Sequence, residues 1–246
     1  MAEVGLHVEL LGKTGNALAL IYAACRQCYS SMFAAEIFEK VPALEDPCKV
    51  SDFIGKVMAS GHESPLEHVK FTFAIEGVSR ALTHQLVRHR MASYSQQSQR
   101  YVKESNFDYI VPPVFKKDKR LKKRFISVME DIQRGYNDLL GLLKEEGTEG
   151  EIANQDARFV LPQAAETKIV VTMNCRELKH FFAHRCCTRA QWEIRALAGR
   201  MLEICRKELP EVFTGIGAKC EELGYCPEGP GFSCGKYPLK SDVIKP

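Results

Sequence analysis

Apolar and polar residues repeat along this chain with two different periods, and each period predicts one type of secondary structure. Residues 69–75 carry Val, Phe, Phe and Ile at every second position, which predicts a half-buried strand. Residues 117–146 carry apolar side chains at helical spacing, which predicts a long amphipathic helix. Shorter helices are predicted over residues 16–28, 51–61, 79–90, 151–160 and 189–209, with another beginning at Asn174, and a second strand is predicted over residues 168–173.

The order of these elements predicts an α+β fold. Helices and strands are mixed without a regular βαβ succession, and no internal repeat or flexible linker is evident. A chain of 246 residues suits one or two domains. We expect residues 1–210 to form a single domain and residues 211–246, which are rich in Cys, Gly and Pro, to form a loop-like tail.

Composition excludes several broad classes of protein. Hydrophobic residues make up 45% and charged residues 26% of the chain, so neither a disordered chain nor a fibre is expected. The longest uncharged apolar stretch, residues 17–25, is much shorter than the ~20 residues of a membrane span. Acidic Glu3 and Glu9 precede it, which disfavours a signal peptide. We therefore expect a cytoplasmic protein whose ten cysteines are not a disulfide framework.

Positive charge is concentrated in one segment of the chain. The net charge is +3, yet residues 77–103 contain no Asp or Glu and carry +5, so the rest of the chain carries −2. Such a field suits an anionic partner, namely a phosphate, a nucleotide or a nucleic acid, and a solvated basic face is the alternative. The basic residues of this segment are Arg80, Arg88, Arg90, Arg100 and Lys103.

Residues that can carry chemistry cluster in three places. Residues 62–68 read His-Glu-Ser-Pro-Leu-Glu-His, but Pro65 and the spacing do not fit a zinc-binding helix, so a polar turn facing a ligand is favoured over a metal site. Residues 85–100 combine arginines with Ser and Gln donors, which suits a nucleotide or else a polar surface loop. Residues 174–195 include Arg185, which is either an anion binder or half of a core salt bridge.

Several motifs in these segments resemble the flavin-dependent thymidylate synthases. Arg88-His89-Arg90 followed after seven residues by Ser98 is the pattern that defines that family. The likeness covers most of the chain, but it does not include the tail after about residue 210. Further matching motifs lie at residues 61–68, 157–162, 172–176 and 189–194.

The resemblance implies a fold, a reaction and a set of ligands. The fold is a twisted antiparallel sheet surrounded by helices and assembled as a homotetramer, with active sites that draw on several subunits. The reaction is the reductive methylation of dUMP to dTMP, with FAD as cofactor, NADPH as reductant and 5,10-methylenetetrahydrofolate as one-carbon donor. It uses no enzyme cysteine as nucleophile, and no metal site, nucleic acid or membrane is expected.

The resemblance also implies roles for individual residues. Arg185 would stabilise negative charge on the pyrimidine, and Ser98 would lie beside the uracil without bonding to it covalently. The expected FAD contacts are His62, Ser64, Arg88, His89, Arg90, Gln96, Asn174, Cys175, Arg176 and His180. The expected dUMP contacts are Gln85, Leu86, Val87, Arg88, Gln96, Gln97, Ser98, Gln99, Arg100, Arg158 and Arg185.

The sequence departs from the family pattern at two places. Ser95-Gln96 stand where the family usually has Asn-Glu, which removes one negative charge beside two ligands. His180 stands where other members carry asparagine. We therefore expect the detailed nucleotide contacts of this chain to differ from those of the family.

Two other functions are compatible with parts of the sequence. A nucleic-acid-binding module could use residues 77–103 with Tyr94 and Tyr101 as stacking platforms, although the small net charge disfavours it. A metal or redox protein could use Cys25-x-x-Cys28 and the tail cysteines, although the Cys25-x-x-Cys28 pair lies within a predicted helix.

The tail carries an expectation of its own. Cys220, Cys226 and Cys234 lie among glycines and prolines, whose turns could bring thiolates to a zinc ion with Cys205 as fourth ligand. Free thiols or an occasional disulfide are the alternatives. Because the tail lies outside the family motifs, removing the chain after Lys219 is expected to lower stability more than turnover.

Overall fold

The strands pair in one antiparallel sheet. Over residues 1–41 and 47–244, which the computed structural model describes, the sheet has four strands in the order β1-β2-β4-β3. Phe71, Phe73 and Ile75 of β2 are buried, as the alternating pattern predicts. The strands are β1 (His7–Lys13), β2 (Lys70–Ser79), β3 (Ala92–Gln96) and β4 (Glu166–Asn174).

Helices make up most of the remaining regular structure, which confirms the α+β fold class. Across the described residues no helix combines the length and the apolar character needed to cross a bilayer. The helices are α1 (Ala17–Gln27), α2 (Ala34–Lys40), α3 (Pro47–Ala59), α4 (Arg80–Leu86), α5 (Pro113–Lys116), α6 (Lys119–Glu145), α7 (Gly150–Ala157), α8 (Cys175–Arg185), α9 (Trp192–Glu208), α10 (Pro210–Phe213), α11 (Lys219–Leu223) and α12 (Lys240–Val243), with 3₁₀ turns at Ser64–His68 and Arg158–Val160.

The chain forms two compact units that alternate along the sequence. Each unit is built from three segments, and each strand contributes residues to both units. Unit 1 comprises Met1–Glu9, Ala74–Arg88 and Tyr94–Val171, and unit 2 comprises Leu10–Phe73, His89–Ser93 and Thr172–Pro246.

The long helix α6 organises the core of unit 1. Asp118 caps its N-terminus by accepting hydrogen bonds from the backbone N–H groups of Arg120 and Leu121. The buried amide of Gln133 donates to the carbonyl of Glu104 and accepts from the N–H of Phe107, so the segment before residue 111 is held to the helix. Met129 packs in an apolar cluster with Phe107, Tyr109, Val111 and Ala165.

Aromatic residues form the core of unit 2. The ring of Phe213 meets the rings of Phe71 and Phe182 edge-on, with centroids 5.7 and 6.1 Å apart. All three side chains are fully buried. Phe213 belongs to α10, so the segment predicted as a loop-like tail begins as a helix whose side chain enters this core.

Some element boundaries differ from the sequence prediction. Helix α4 ends at Leu86 instead of Arg90, because the N–H of Arg88 turns back to the carbonyl of Gln85 and closes the helix with a 3₁₀ turn. Strand β1 is not predicted, because apolar and polar residues hardly alternate along it. In the structure Val8 is its one buried residue. Strand β3 has a polar sequence that does not predict a strand. It forms because its backbone pairs with β4, and just after it the N–H of Gln97 donates to the carbonyl of Lys168.

Candidate active site

The predicted site residues divide between the two units. Nearly all expected nucleotide contacts lie in unit 1, and nearly all expected flavin contacts lie in unit 2. Those in unit 1 are Gln85, Leu86, Val87, Arg88, Gln96, Gln97, Ser98, Gln99, Arg100 and Arg158; those in unit 2 are His62, Ser64, His89, Arg90, Asn174, Cys175, Arg176, His180 and Arg185.

Helix α4 and the residues just after it carry several of the expected nucleotide contacts in unit 1. Ser79 caps it, since its hydroxyl accepts from the N–H of Leu82 as predicted. Gln85 and Arg88 keep part of their surface in solvent, whereas the side chain of Leu86 is fully buried. Leu86 could therefore meet a ligand only through its backbone.

The segment after β3 is held in place by hydrogen bonds within unit 1. The amide of Gln96 donates to the hydroxyls of Thr83 and Thr167 at 3.1 and 3.2 Å. Ser98 accepts from the N–H of Arg100 at 3.2 Å, and Arg100 pairs with Glu151. No imidazole or carboxylate lies within hydrogen-bonding distance of Ser98 in the described part of the chain.

Two buried polar atoms in this segment have no protein partner. They are Oε1 of Gln97 and Nε of Arg100, and they are the only such side-chain atoms found among residues 1–41 and 47–244. Buried donors and acceptors are normally paired, because leaving one unpaired costs about 1–3 kcal/mol. A donor and an acceptor left open on neighbouring residues are what a bound ligand with polar groups would satisfy.

Arg80 is a functional candidate that the sequence analysis did not single out. Its guanidinium lies against the carbonyl of Gln97, at 3.5 Å. Burial, and then the positive charge of Arg158, lower the pKa of Arg80. Two arginines that repel each other in a partly buried place are typical of an anion site.

Several arginines of the candidate site lack acidic partners. Other arginines in residues 1–41 and 47–244 form ion pairs with a carboxylate. In the same residues, five arginines of the candidate site have no carboxylate oxygen within 4.0 Å. Such unpaired guanidinium groups can offer their forks to phosphate or to a charged ring. They are Arg80, Arg88, Arg90, Arg158 and Arg185.

In unit 2 the carboxylates of the turn at residues 62–68 form ion pairs with cations. Glu67 pairs with Arg176, and Glu63 pairs with Lys179. Groups of three His, Cys, Asp or Glu side chains suitable for a metal are not found in the described part of the chain. The metal alternative for this turn, and the zinc alternative for the tail, therefore have no set of ligands there.

Lys179 joins the tail to this turn. It lies between Glu63 and Glu222 of α11, at 2.7 Å from the latter. Burial lowers the pKa of Lys179, but the bonds to Glu222 and Glu63 outweigh it and the net shift is upward. The tail helix is thus joined to α8 by an ion-pair network in which Lys179 is largely buried and Glu222 is exposed.

Two cavities in unit 2 share Arg176 and His180. The smaller, of about 200 Å³, is lined by Glu67, Met91, Asn174 and Glu177 as well as by the shared pair. The larger, of about 450 Å³, includes Lys219, Glu222 and Leu223 of α11 in its wall. Tail residues therefore line a cavity together with two expected flavin contacts, which the sequence did not indicate.

Removing the chain after Lys219 tests this arrangement. The cut keeps Phe213 in the core but removes Glu222, the partner of Lys179. We expect a folded chain that purifies with less of the expected flavin per protomer than the intact chain, measured by absorbance after denaturation. The control is Lys236→Ala, which breaks an exposed ion pair to Glu221 and leaves Glu222 in place. An unchanged flavin content in the truncated chain would show that the tail does not contribute to flavin binding.

Two buried side chains of unit 2, His89 and Glu177, form a hydrogen-bonded line with the half-buried Arg185. Nε of Arg185 donates to Nε2 of His89 at 3.0 Å, and Nδ1 of His89 lies 3.1 Å from Oε1 of Glu177. The ring of Phe181 packs edge-on against the imidazole, with centroids 4.9 Å apart. Because both ring nitrogens of His89 are engaged, a flavin could meet this residue only through its backbone or its ring face.

The imidazole of His89 is neutral at pH 7. Burial, followed by the charge of Arg185, lowers the pKa of His89 from 6.5 to about 4. Burial also raises the pKa of Glu177. The close approach of His89 to Glu177 is therefore a hydrogen bond from a neutral ring to a carboxylate rather than an ion pair.

The depressed pKa of His89 makes stability depend on pH. Between pH 6.5 and about 4 the unfolded chain binds a proton at this histidine and the folded chain does not, so His89 makes folding less favourable as the pH falls, by at most about 3 kcal/mol. Urea unfolding of wild type and His89→Gln at pH 7 and pH 4.5 measures this. We expect the wild type to lose more stability than the variant on acidification. Equal losses would contradict the assignment.

Asn174 caps helix α8 as the sequence predicts, but Glu177 does not complete the capping box. The amide oxygen of Asn174 accepts from the N–H of Glu177 at 2.8 Å. The carboxylate of Glu177 is instead directed to His89. Nothing in the local sequence indicates this, because residues 89 and 177 are brought together only by folding.

Cysteine thiols are not activated near these groups. Burial raises the pKa of Cys175 to about 12 and that of Cys186 to about 11. Cys175 is fully enclosed, so only its backbone could face a ligand. The cysteines whose side chains are described are free thiols, and Cys25 lies in α1 as predicted.

Comparison with known proteins decides the family. The model of the family described as thymidylate synthase complementing protein matches residues 9–211. A flavin-dependent thymidylate synthase of Nitratidesulfovibrio vulgaris is 59% identical over 237 residues, which cover 96% of this chain and 97% of that protein. The chain belongs to the flavin-dependent thymidylate synthase family.

Other comparisons agree with this membership. The flavin-dependent thymidylate synthase of Clostridium tetani is 49% identical over 95% of this chain and 94% of its own length. A crystal structure of a UMP/dUMP methylase from Streptomyces cacaoi, bound with 5-Br dUMP, has the same fold, with a TM-score of 0.71 over 88% of this chain and 97% of that one. Its sequence is 24% identical. The resemblance stated from the motifs is thereby confirmed, and the chain shares the fold of this solved structure.

Proposed function

We propose that the chain converts dUMP to dTMP by reductive methylation, with FAD as cofactor, 5,10-methylenetetrahydrofolate as one-carbon donor and NADPH as reductant. The observation that carries the proposal is the family match over residues 9–211, which contains Arg88-His89-Arg90 and Ser98 at the family's spacing. Relatives named flavin-dependent thymidylate synthase support the activity and a flavin.

The residues of unit 1 fit a nucleotide. The open polar atoms of Gln97 and Arg100 offer one acceptor and one donor, as the edge of a pyrimidine or a ribose requires. Arg158 and Arg80 place unpaired positive charge in the same unit for a phosphate. Gln96 takes the place of the family's usual Glu and donates to two threonine hydroxyls, so it supports the segment without adding negative charge.

The residues of unit 2 fit a flavin dinucleotide. Arg90 is exposed and free of carboxylates in the described part of the chain, and Arg176 opens into two cavities. These guanidinium groups would hold the phosphates, and His180, which stands in place of asparagine, would add a donor beside them. Asn174 would contribute the polar end of helix α8. When bound, the flavin supplies the redox chemistry of the reaction.

Arg185 is the residue that we assign to the pyrimidine. Carbon 5 of uracil is a poor nucleophile. A fixed cation at the ring stabilises negative charge on the pyrimidine and so makes this carbon more reactive. Arg185 has no acidic partner within 4.0 Å in the described residues, so its charge is available to a ligand. The raised pKa values of Cys175 and Cys186 keep these thiols protonated, which supports a reaction without a cysteine nucleophile.

An anaerobic assay tests the proposed function. Purified protein is incubated with dUMP, methylenetetrahydrofolate and NADPH, with and without added FAD, and dTMP is measured by chromatography. We expect dTMP that depends on each component and a protein with the absorption spectrum of a flavin. A colourless protein that makes no dTMP but shifts DNA on a gel in a salt-dependent manner would favour the nucleic-acid alternative. Against that alternative, the hydroxyl of Tyr94 is already bonded to the carbonyl of Leu86.

We also propose that the chain works as a homotetramer with shared active sites. In unit 1 the side chains of Phe159 and Tyr101 are 85% and 69% exposed, and each adjoins a nucleotide residue in sequence. Large apolar side chains exposed beside functional residues are typical of subunit interfaces. A cytoplasmic location is consistent with free thiols.

Replacing Phe159 by Asp tests the assembly. A charge at the centre of an apolar interface is costly, so we expect species smaller than a tetramer in multi-angle light scattering, with FAD and activity lost together. Phe232→Asp, at an exposed position of the tail, is the control and should keep the wild-type mass. A Phe159→Asp tetramer with full FAD content would contradict the placement of the interface.

A further inference from the structure

Glu177 and Arg185 lie at opposite ends of helix α8 and cannot touch. They are eight positions apart, which corresponds to about 12 Å along a helix. His89 bridges the gap, with Nδ1 at 3.1 Å from Glu177 and Nε2 at 3.0 Å from Arg185. Its side chain is 7% exposed and that of Glu177 is 10% exposed, so water does not compete for these bonds.

The chemistry of the donors determines where the imidazole proton lies. The Nε–H of Arg185 can only donate, so Nε2 of His89 must be the acceptor. The ring is neutral and carries one N–H, which is therefore on Nδ1 and donates to Oε1 of Glu177. The carboxylate of Glu177 is the group that holds the ring in this tautomer.

We propose that Glu177 is a positioning residue for Arg185, acting through the tautomer of His89. Without an acceptor at Nδ1 the ring can carry its proton on Nε2 instead. An Nε2–H would face the Nε–H of Arg185, and two donors would repel each other. The guanidinium would then leave the orientation in which it meets the pyrimidine. This inference rests on the proposed function, in which Arg185 acts on the bound nucleotide.

The energetics of burial favour a functional role for this carboxylate over a structural one. Burying the carboxylate of Glu177 costs desolvation free energy. Because its partner His89 is neutral, no attraction between opposite charges offsets this cost. An apolar residue of similar size at position 177 removes this cost but leaves the Nδ1–H of His89 without an acceptor, so we expect little net change in folding stability. Fixing the tautomer is what such a residue cannot do.

Kinetics of three variants test the proposal. Glu177→Leu should keep its FAD content and melting temperature but lower kcat by ~10–100-fold, as loss of a group that orients a functional residue typically does, with little change in KM for dUMP. Glu177→Gln retains an oxygen that accepts from Nδ1–H and should stay close to the wild-type kcat. Glu203→Leu, in an exposed pair with Arg200, is the matched control and should behave as wild type.

A double mutant separates action through Arg185 from independent action. If Glu177 acts through Arg185, the combination Glu177→Leu with Arg185→Ala should be no slower than Arg185→Ala alone. Losses that multiply in the double mutant, or a wild-type kcat in Glu177→Leu, would overturn the proposal.

A spectroscopic measurement distinguishes failure of the inference from failure of the proposed function. Nitrogen-15 NMR of histidine-labelled protein reports which ring nitrogen of His89 is protonated. We expect Nδ1–H in the wild type and a shift towards Nε2–H in Glu177→Leu, whether or not the protein makes dTMP. Protonation at Nε2 in the wild type would overturn the inference even if the enzyme is fully active and Glu177→Leu does not fold.

Discussion

Arg185→Ala is expected to lower dTMP formation by ~10²–10³-fold while the protein keeps its flavin, since losing one preorganised charge-stabilising group typically costs this much. Arg185 is the last residue of α8, and its guanidinium is oriented by the imidazole of His89. In residues 1–41 and 47–244 it has no acidic partner within 4.0 Å, so its charge is not neutralised by an ion pair there. Steady-state kinetics at saturating dUMP, with flavin content measured on the same samples, provide the test.

Two further variants show whether the loss comes from Arg185 itself. Arg185→Lys keeps a positive charge but loses the Nε–H that His89 accepts, so an intermediate rate is expected. Arg200→Ala, at an exposed position paired with Glu203, should leave the rate unchanged. Near-normal turnover of Arg185→Ala would show that Arg185 does not take part in the reaction.

Phe213→Ala is expected to lower the free energy of unfolding by about 3–5 kcal/mol, the usual cost of truncating a buried phenylalanine. The ring is fully buried and meets Phe71 and Phe182 edge-on, at centroid distances of 5.7 and 6.1 Å. Alanine would leave a cavity that this aromatic packing cannot close. Thermal and urea unfolding at one fixed protein concentration measure the loss.

Phe232 provides the matched control for Phe213. It lies later in the same tail and is 63% exposed, with the guanidinium of Arg189 at 4.3 Å from its ring centroid. Removing it costs only an exposed cation–π contact, about 0.5–1 kcal/mol. Similar losses for Phe213→Ala and Phe232→Ala would show that α10 does not belong to the core of unit 2.

Elements with strong local signals could be predicted from the sequence. Strand β2 alternates because one of its faces is buried, and α6 has an apolar stripe against the core of unit 1. Ser79 and Asn174 were recognisable as caps, because a cap depends on residues only three positions apart. Strand β3 and helix α10 could not be predicted in this way, since β4 and the aromatic core of unit 2 respectively stabilise them.

The candidate site shows the same division. The acid-free charge of residues 77–103 and the Arg88-His89-Arg90 motif are linear features, and they were sufficient to recognise the family and to select most of the candidate residues. Arg80 lies in that charged segment, but only the approach of Arg158 in the folded unit distinguishes it from the other arginines. The tail lies outside the family motifs, and its ion pair from Glu222 to Lys179 joins residues 43 positions apart, which no local pattern indicates.

The sequence by itself determined the family, the α+β class and the residue types available for binding a nucleotide and a flavin, because motif spacing and hydrophobic periodicity are properties of neighbouring residues. Only the tertiary structure decided how those residues are coupled. The sequence predicts Glu177 as the second half of a capping box, but in the folded chain its carboxylate is hydrogen-bonded to the ring of His89. The physical reason is burial: once water is excluded, each polar atom must find its partner among groups that the fold brings near, whatever their distance along the chain.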